Sequence, residues 1–586
     1  MPRFLFLFVV VITLASYGLF HAIAKHKENE KEFDFKTREK LKLSLVVNCF
    51  FVFTALIFIP FDIFFANSSD FAFSFSDFWW IMVSFGLLIF VFFMVVSIVL
   101  PKKAFAFIES FVFSLAFLFY VQRMFLNFFI GSIVGIKLDT AEHPLWAFAN
   151  SLIWVGVVVG VFALLYKKDL WVNVLYAVSV GLIFVQGIAL VSLFITEKPF
   201  DLKQSSESLT VTTEGLYELA TENNIIVFVL DYYDFSYYDA VKESEPDFYN
   251  RLEGFTYFDN TASVYSRSFP SNPYLLTGLE LDEYFVNPPD ECINSAFEKS
   301  SFLSELKNLG FEIDIYTFDA FIGETGKSLA RNYSKEGSII SYWGTLAGML
   351  QCSMYFEMPY LVKPFFWIYE INSMAVKENQ YILDDFKFYV ELLENGLTLS
   401  DNKSAYKYIH MLGAHSPYTI NEFGEQVPDG VEGVQQWKGC INIVCEYLNQ
   451  MKALGKYDSA TIIITADHGK VVADSLQSAI GPIMFVKPAY ATINDLNISH
   501  APVSHSNIFP TVIEAAGGNY DVYGRPFFSI AEDEKISRIF HCTSFTNGGE
   551  SNILDYEIPE CIRDFERWKI KSTKKVLDSM YPVYKG

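Results

Sequence analysis

The feature that most constrains this chain is a series of long apolar segments within residues 1–199. Six of them reach or approach the roughly 20 residues that an α-helix needs to cross a bilayer. The first has a long apolar core and no evident small-residue cleavage site, so we interpret it as a span and not as a signal peptide. The sequence therefore predicts a membrane region of about six helices over residues 1–196. The six segments are 3–24, 43–66, 78–100, 104–121, 147–166 and 171–195.

The loops between these segments differ in their content of basic residues. The first loop, 25–42, is rich in lysine and arginine, and the short third and fifth loops each contain a Lys-Lys pair. The second loop, 66–77, has no basic residue. Because basic loops stay in the cytoplasm, the pattern predicts that both termini and everything after residue 196 lie outside. We expect a multi-pass protein of the cell membrane with an exterior domain.

Arg123 is a charged residue beside the fourth apolar segment. A charge inside a span would indicate function. A long side chain at a helix end also reaches the membrane interface without any such role, and we favour that interpretation.

Beyond residue 222, continuous apolar runs alternate with helical patterns. Such alternation predicts an α/β domain with a mostly parallel sheet covered by helices on both faces. We predict a linker over 197–222 that ends in a short helix, a catalytic domain over 223–540, and an accessory segment of sheet or helix over 541–586. The predicted strands are 223–230, 311–318, 407–413, 460–465 and 481–488, and the predicted helices are 301–310, 440–455 and 506–518.

Residues 1–199 carry a formal net charge of +2, so the rest of the chain carries −25, which gives the total of −23. An acidic exterior part repels a phosphate polymer, so nucleic acid is excluded as a partner. A small phosphate ester held by a metal ion is not excluded, because local charge decides its binding.

Six of the seven cysteines follow residue 199. In an exported domain six cysteines allow three disulfides, which sequence alone cannot pair. Cys542 and Cys561 are the pair that we expect first.

Polar residues follow two of the predicted strands. Asp231 ends the first strand, and Asp467 and His468 come directly after the strand at 460–465. In such sheets the carboxyl ends of the strands converge on the ligand crevice. Asp231 alone is better explained as a cap of a helix or turn. The carboxylate–imidazole pair at 467–468 favours a metal ligand role, with zinc or manganese as the suited ions.

The stretch RSFPSNPYLLTG, residues 267–278, contains two prolines within four residues. Proline opposes a regular helix that begins at Phe269, so we predict a stiff turn followed by a helix. Ser268 would then lie at a helix N-terminus, which favours anions. A metal-activated nucleophile fits this position. Considered alone, Ser268 or Ser271 is better explained as an N-cap.

Three histidines are further candidates. His415, in a Gly-Ala-His-Ser-Pro loop after a strand, is placed to donate a proton or to bind a phosphoryl oxygen. His410 lies within that strand, so we interpret it as a core residue or a support for the ligands. His505 precedes a predicted helix and is either a ligand or a cap.

The motifs follow one another in a recognisable order. In that order they resemble the alkaline phosphatase superfamily and, within it, the sulfatase-like branch that includes the membrane-anchored lipoteichoic acid synthases and phosphoethanolamine transferases. The resemblance covers about residues 223–530. Those envelope transferases also combine a membrane region with an exterior domain, typically with five spans. The motifs are an acid after the first strand, S-x-P-S-x-x-x-L-L-T-G at 268–278, H-x-x-G-x-H-x-P-Y at 410–418, T-A-D-H-G at 465–469 and NIFPTVIEAAG at 507–517.

The resemblance implies that Asp231, Ser268, Asp467 and His468 surround one divalent metal ion. The ion would be Mn, Zn, Mg or Ca, with Mn or Zn favoured. Ser268 occupies the position of the nucleophile, which is formylglycine in sulfatases and threonine in the envelope transferases. The match also implies that His415 contacts the substrate phosphate or the leaving group.

Two positions depart from the sulfatase pattern. Asn272 stands where an arginine supports formylglycine, and Tyr232 and Tyr233 follow Asp231 where a second acid is usual. Both departures favour direct use of the serine hydroxyl. A second metal ion, held through His505, stays open.

We therefore expect a transferase that moves a phosphate-linked headgroup, of phosphoglycerol or phosphoethanolamine type, from a membrane phospholipid to an envelope glycan or glycolipid through a seryl intermediate. One alternative is a sulfatase or phosphodiesterase that acts on exterior substrates. Another is a non-catalytic module that binds an envelope polymer. We expect the segment 320–400, with Lys327, Arg331 and Trp343, to shape substrate choice. The oligomeric state is not indicated.

Overall fold

Contacts along the chain divide it into two units. The first comprises Met1–Ser206 and Ser338–Lys377, and the second comprises Glu207–Gly337 and Glu378–Gly586. The structure is a computed structural model. It describes residues 35–67, 71, 73–130, 138–197, 209–281, 289–334, 341–368, 380–427, 430–470, 481–492, 495–545 and 551–575.

Five long apolar helices form most of the first unit. Each is long and apolar enough to cross a membrane, which confirms five of the six predicted spans as helices of the required length. The sixth predicted span, 3–24, lies outside the described residues. The helices are α1 (Thr37–Ala66), α2 (Phe75–Val99), α3 (Lys102–Phe125), α4 (Pro144–Tyr166) and α5 (Lys168–Glu197).

Arg123 of α3 does not simply extend toward an interface. Its Nη2 atom lies 2.6 Å from Oδ2 of Asp62 in α1, and its Nε atom donates to the same oxygen at 2.9 Å. Pairing with a carboxylate reduces the cost of a charge among apolar helices. The ion pair therefore joins α1 to α3.

A segment from the middle of the sequence, residues 341–368, packs with these helices. It contains the inserted helix Tyr342–Glu357. The Asn127 amide donates to Phe356 O at 3.1 Å, and the Tyr355 hydroxyl donates to Ile130 O at 2.7 Å. This stretch lies within the range 223–540 predicted as the catalytic domain, whereas these bonds tie it to the first unit.

The second unit contains the α/β part of the chain. Its helices are α6 (Phe235–Ser244), α7 (Ser268–Thr277), α8 (Pro289–Lys299), α9 (Phe302–Asn308), α10 (Glu324–Leu329), α11 (Asp385–Asn395), α12 (Gly433–Ala453) and α13 (Ile508–Ala515). Its strands are β1 (Thr210–Val211), β2 (Glu218–Leu219), β3 (Asn223–Leu230), β4 (Thr256–Phe258), β5 (Thr261–Ala262), β6 (Glu312–Tyr316), β7 (Tyr333–Ser334), β8 (Thr398–Leu399), β9 (Ser404–Met411), β10 (Thr461–Thr465), β11 (Met484–Lys487), β12 (Asn497–Ser499), β13 (Val503–Ser504), β14 (Arg538–Phe545), β15 (Ser551–Ile558) and β16 (Lys569–Lys575).

A central seven-stranded sheet has the order β12-β4-β11-β10-β3-β9-β6. The pairs β10–β3, β3–β9 and β9–β6 are parallel, as the apolar runs predicted. The pair β12–β4, whose strands were not predicted, is also parallel. Strand β11, one of the predicted strands, pairs antiparallel with both β10 and β4. The sheet is thus mixed but mostly parallel.

Helices cover both faces of this sheet, which confirms the predicted fold class. On one face the ring of Phe228 in β3 meets Tyr447 of α12 at a centroid distance of 5.3 Å. On the other face Tyr406 of β9 meets Phe302 of α9 at 5.9 Å. Neighbouring side chains of a strand point to opposite faces of the sheet. Because both faces of this sheet are covered, the sequences of its strands are continuous apolar runs.

Helix α7 begins at Ser268, so the prediction that the prolines prevent a helix from starting there was wrong. Pro270 lies in the first turn, where a backbone N–H has no intrahelical acceptor and its absence costs nothing. Pro273 removes one internal hydrogen bond, and the Asn272 amide supplies another bond by donating to Ser268 O at 3.0 Å. The helix ends at Gly278, whose φ of 73° is the left-handed conformation of a helix terminus.

The stretch before β3 forms two short strands. Thr210–Val211 pairs with Tyr333–Ser334, and Glu218–Leu219 pairs with Thr398–Leu399. The residues between them form turns, so the short helix predicted at the end of the linker is absent from the described part, 209–222.

An antiparallel sheet of β14, β15 and β16 forms the accessory segment, and it begins slightly before the predicted boundary at 541. Cys542 is buried on β14 beside Phe540, whereas Cys561 is exposed after β15. The expected Cys542–Cys561 disulfide is therefore not formed, because the first thiol faces an apolar core and the second faces solvent.

His541 of β14 links this sheet to the loop that precedes α7. Its Nδ1 atom lies 2.7 Å from Asp555 Oδ1, and its Nε2 atom lies 3.4 Å from Glu280 Oε2. The His541 carbonyl accepts a hydrogen bond from Ser266 N at 3.2 Å. Burial lowers the pKa of His541, but the two neighbouring carboxylates outweigh it and leave that pKa raised above its ordinary value.

A raised pKa in the folded state predicts a pH-dependent stability. The charged His541 stabilises the fold below the unfolded pKa of about 6.5, and this stabilisation is lost as the pH rises through the folded pKa. We expect the thermal midpoint of the native protein to exceed that of His541→Gln by more at pH 6 than at pH 8.5.

The matched control is His500→Gln. His500 pairs with Asp259 at 2.9 Å, but its side chain is 67% exposed, so the pair contributes little. If the thermal midpoint of the native protein exceeds that of His541→Gln by the same amount at pH 6 and at pH 8.5, the proposed role of His541 is contradicted.

Candidate active site

The structure brings together the four side chains that the resemblance assigns to a metal ion. Asp231 follows β3, Asp467 and His468 follow β10, and Ser268 opens α7. The Ser268 hydroxyl lies 3.1 Å from His468 Nε2 and 3.5 Å from Asp231 Oδ1. His468 Nε2 lies 3.8 Å from Asp231 Oδ1 and 3.7 Å from Asp467 Oδ2. Their juxtaposition is observed, and their role as ligands stays a prediction.

The chemistry of these donors fits a divalent cation. The exposed fractions of Asp231 and Asp467 are 6% and 0%, so two carboxylates share a buried volume. Burial and the neighbouring charge of Asp467 raise the pKa of Asp231 well above its ordinary value. The Nδ1 atom of His468 lies 2.7 Å from Gly469 O, and donation there leaves Nε2 with a free lone pair. Oxygen and imidazole ligands of this kind suit zinc or manganese.

His410 is closer to these carboxylates than the sequence indicated. One ligand atom each from Asp231, His410 and Asp467 lie within 4.8 Å of one another. His410 Nε2 is buried without a hydrogen-bond partner in the part of the chain that is described, while Nδ1 is 3.0 Å from the Thr317 hydroxyl. Burial lowers the pKa of His410 to about 4, so the ring is neutral near pH 7. The sequence did not show that β9 pairs with β3, and this pairing places His410 beside Val229, near the carboxylates.

His505 is buried and does not cap the following helix. It belongs to a short 3₁₀ turn, His505–Asn507, which is capped by the Ser504 hydroxyl accepting from Ser506 N at 3.3 Å, and Asn507 is the N-cap of α13. Burial lowers the pKa of His505 to about 4, although a hydrogen bond to the Ala466 backbone acts in the opposite direction and raises it. Its Nε2 atom has no hydrogen-bond partner among the described residues. A ligand role for His505 stays a prediction.

His415 lies in the loop after β9 and contacts the same group of rings. Its ring centroid is 5.6 Å from that of Tyr232, which in turn is 5.3 Å from His468. The His415 Nδ1 atom is 2.6 Å from Ser416 O, and donation there leaves Nε2 as a proton acceptor. Burial lowers the pKa of His415, so the neutral ring is the form present near pH 7.

Tyr232, one of the two residues that depart from the sulfatase pattern after Asp231, has an unusual backbone conformation. Its φ of 65° is uncommon for a bulky residue and marks a constrained position. Its backbone N–H donates to Asp467 Oδ1 at 3.2 Å. The constrained backbone thus holds a carboxylate of the site.

The loop after β9 approaches the end of β3 very closely. Gly413 has φ of 59°, and a Cβ atom there would lie 2.7 Å from Asp231 N. The Asp385 carboxylate accepts from Leu412 N at 2.7 Å and from Gly413 N at 2.8 Å. Only glycine fits this approach, which places the His415 loop beside Asp231.

Asn272, where sulfatases have arginine, bonds within the site. Its amide nitrogen donates to Asp467 Oδ2 at 3.2 Å, and its oxygen accepts from the Tyr408 hydroxyl at 2.7 Å. All three residues are buried. Asn272 therefore fixes the orientation of Asp467, a role that residue type alone did not reveal.

The residues expected to shape substrate choice have other contacts. Arg331 and Lys407 both pair with the buried Asp314, at 2.9 and 3.0 Å. Lys327 pairs with Glu324 at 3.0 Å. Trp343 lies on the inserted helix of the first unit and is 81% exposed. Their influence on substrate choice stays a prediction.

No protein-family model and no curated protein matches this chain. Solved structures with some similarity include the integral membrane protein lipooligosaccharide phosphoethanolamine transferase A of Neisseria meningitidis. It is 11% identical, and the match covers 81% of this chain and 95% of that chain with a TM-score of 0.30.

Two further matches cover a smaller share of this chain. The phosphonate monoester hydrolase of Silicibacter pomeroyi is 13% identical, with 59% of this chain and 88% of that chain covered and a TM-score of 0.33. The structure of Ps i-CgsB with k-i-k-neocarrahexaose is 15% identical, with 60% and 86% covered and a TM-score of 0.38. Scores this low establish neither a shared fold nor a shared function.

Removing either carboxylate should weaken metal binding. We expect Asp231→Asn and Asp467→Asn each to lower the affinity of the purified full chain for Mn²⁺ by at least about tenfold, because each loses a charged oxygen donor. Isothermal titration in detergent measures this affinity.

Asp234→Asn is the matched control for this titration. Asp234 is also buried, but it accepts from Ser236 N at 2.8 Å and Lys470 N at 3.0 Å instead of facing the other donors. Equal weakening in all three variants would show that the effect is not specific to the proposed ligands.

Proposed function

We propose that the protein is a metal-dependent transferase of the sulfatase-like branch of the alkaline phosphatase superfamily. It moves a phosphate-linked headgroup, of phosphoglycerol or phosphoethanolamine type, from a membrane phospholipid to an envelope glycan or glycolipid. The observation that carries the proposal is the position of the Ser268 hydroxyl, 3.1 Å from His468 Nε2 at the N-terminus of α7. The reaction takes place outside the membrane, and the apolar helices anchor the enzyme there.

A divalent cation held by Asp231, Asp467, His468 and Ser268 would neutralise the buried carboxylates and lower the pKa of the serine hydroxyl. Mn²⁺ or Zn²⁺ suits this mixed donor set. Asn272 and the backbone N–H of Tyr232 keep Asp467 in a fixed orientation before substrate arrives.

In the first step the Ser268 oxygen attacks phosphorus. A bond forms between that oxygen and phosphorus, and the bond between phosphorus and the lipid oxygen breaks. Ser268 loses its hydroxyl proton in this step, and the departing lipid oxygen gains one proton to become a hydroxyl. The N-terminus of α7 favours the anionic phosphoryl group at this position.

In the second step an acceptor hydroxyl attacks the seryl intermediate. A bond forms between phosphorus and the acceptor oxygen, and the bond to Ser268 breaks, which restores the serine. The neutral His415 ring, with Nδ1 directed to Ser416 O, accepts the proton of the acceptor hydroxyl at Nε2. That proton returns to the Ser268 oxygen as its bond to phosphorus breaks, so both residues regain their starting state.

Asn272 supports an unmodified serine in this reaction. It bonds to Asp467 and Tyr408, and as a neutral amide it lacks the charge of the arginine that supports formylglycine in sulfatases. This favours transfer through Ser268 over hydrolysis of sulfate esters.

The proposal predicts a covalently labelled serine. With phospholipids that carry a labelled headgroup and with Mn²⁺, we expect label on Ser268 of the purified full chain and transfer to an added glycolipid. Ser268→Ala should lose the label and about 10³-fold or more of the transfer rate, because it removes the nucleophile. Peptide mass spectrometry locates the label.

Ser271→Ala is the control, since that nearby serine is buried and its hydroxyl donates to Tyr265 O at 3.3 Å. It should keep both the label and most of the rate. Formylglycine at residue 268, with free sulfate released from a sulfate ester, would overturn the transferase in favour of a sulfatase. Full activity in Ser268→Ala would overturn the catalytic role of this serine.

A further inference from the structure

A group of polar side chains is buried where three of the long apolar helices, α1, α2 and α3, meet. The exposed fraction of each of these residues is 0%. One of them is an acid, and ionisable residues inside helices that are apolar enough to cross a membrane are rare and usually functional. We call this group the Glu109 cluster, and it consists of Ser44 and Asn48 of α1, Ser97 of α2 and Glu109 of α3.

Hydrogen bonds connect the members of the Glu109 cluster. Ser44 and Asn48 are four residues apart on α1, so their side chains lie on the same face of that helix. The Ser44 hydroxyl donates to Glu109 Oε1 at 2.8 Å, and the Asn48 amide nitrogen donates to Ser97 Oγ at 3.4 Å. The Ser97 hydroxyl also interacts with the Glu109 carboxylate. The four side chains therefore share one location.

Two oxygen atoms of the Glu109 cluster, Glu109 Oε2 and Asn48 Oδ1, have no hydrogen-bond partner in the described part of the chain. The nitrogen of the Asn48 amide is engaged, because it lies 3.4 Å from Ser97 Oγ and 3.7 Å from the Met94 sulfur. Burying an oxygen acceptor without a partner costs free energy, and the cost is larger for a carboxylate. A positively charged group between these oxygens would offset that cost.

The nearby basic residue Lys40 does not supply this group. Its charge acts on Glu109, but its Nζ atom donates to Leu100 O, after the end of α2, at 2.7 Å. The acid Asp62, also in α1, shows the alternative arrangement, since it pairs directly with Arg123 at 2.6 Å. The Glu109 carboxylate therefore keeps an oxygen that no side chain of the described residues pairs with.

The composition of the Glu109 cluster indicates which cation fits. One carboxylate balances one positive charge, and a divalent ion would leave an excess charge among apolar helices at a high cost in free energy. Carboxylate, amide and hydroxyl oxygens suit hard cations. The donor atoms are also close together, with 2.8 Å between Ser44 Oγ and Glu109 Oε1. This close spacing favours sodium over the larger potassium ion.

We propose that the Glu109 cluster is a binding site for one sodium ion. Glu109 Oε2 and Asn48 Oδ1 bind the ion together with the hydroxyl oxygens of Ser44 and Ser97. The bound ion neutralises the buried carboxylate and joins α1, α2 and α3. The site is close to the first and third loops, which the charge pattern predicts on the cytoplasmic side. It is independent of the proposed transfer reaction.

The test uses the purified full chain in nanodiscs and dicyclohexylcarbodiimide, an apolar reagent that modifies buried carboxyl groups. We expect the reagent to label Glu109, and peptide mass spectrometry locates and quantifies the label. Sodium chloride at about 100 mM should slow this labelling by about tenfold, as mass action gives for a dissociation constant of about 10 mM. Choline chloride at the same concentration should not slow it.

Asn48→Ala removes one oxygen ligand and keeps the carboxylate. Glu109 should still be labelled in this variant, but sodium should slow the labelling by less than about twofold, because the ion binds more weakly. Ser114→Ala is the matched control. Ser114 is also buried on α3, but its hydroxyl donates to Ser110 O of its own helix at 2.6 Å. This variant should keep the protection that sodium gives the native protein.

A second measurement does not need the reagent to reach Glu109. Sodium chloride should raise the thermal midpoint of the native protein above its value in choline chloride by about 2 °C, because the ion binds only the folded state. Glu109→Gln, which removes the charge, should lose this increase. Ser114→Ala should keep it.

Three results would overturn the proposal. Sodium that changes neither the labelling of Glu109 nor the thermal midpoint of the native protein would reject the site. Equal effects of sodium and potassium chloride would reject the assignment to sodium. Protection of Asn48→Ala equal to that of the native protein would reject Asn48 as a ligand.

The sodium site and the transfer reaction can be rejected separately. Ser268→Ala should keep the effect of sodium on Glu109, because Ser268 is not a member of the Glu109 cluster. A native protein that forms the seryl intermediate without any effect of sodium would reject the sodium site alone. A native protein that sodium protects but that forms no seryl intermediate would reject the transferase alone.

Discussion

The parallel pairing of β3 with β9 and β10 is the constraint on which the α/β unit and its candidate site depend. In that register Val229 lies beside both His410 and Thr465. Three stretches far apart in sequence therefore end at one edge of the sheet. Because the side-chain period of a strand is two, a slip of one residue would turn His410 to the opposite face.

The same edge of the sheet holds a buried carboxylate, that of Asp467. Asp467 is held by N–H groups of Tyr232 and His468, at 3.2 and 2.8 Å, and by the Asn272 amide. These donors compensate part of the cost of burying a carboxylate. They also fix its direction, which is what a site needs to bind a cation without rearrangement.

Local patterns predicted much of the fold and the site, and they failed where packing decides. The buried strands were predicted because a short continuous apolar run has few interpretations other than a strand covered on both faces. The helix at Ser268 was missed because a general rule against proline does not apply to the first helical turn. The role of Asn272 was missed because its partners, Asp467 and Tyr408, are 195 and 136 residues away in sequence.

The sequence by itself determined the apolar helices, the mostly parallel sheet, and the set of acids, histidines and serine from which the site is built. These follow from periodicity and residue chemistry, which are local properties. Only the tertiary structure decided that His410 joins the carboxylates and that residues 341–368 leave the α/β unit to pack on the membrane helices. Both depend on contacts between distant segments, which are set by register and by the burial of side chains that no short stretch reveals.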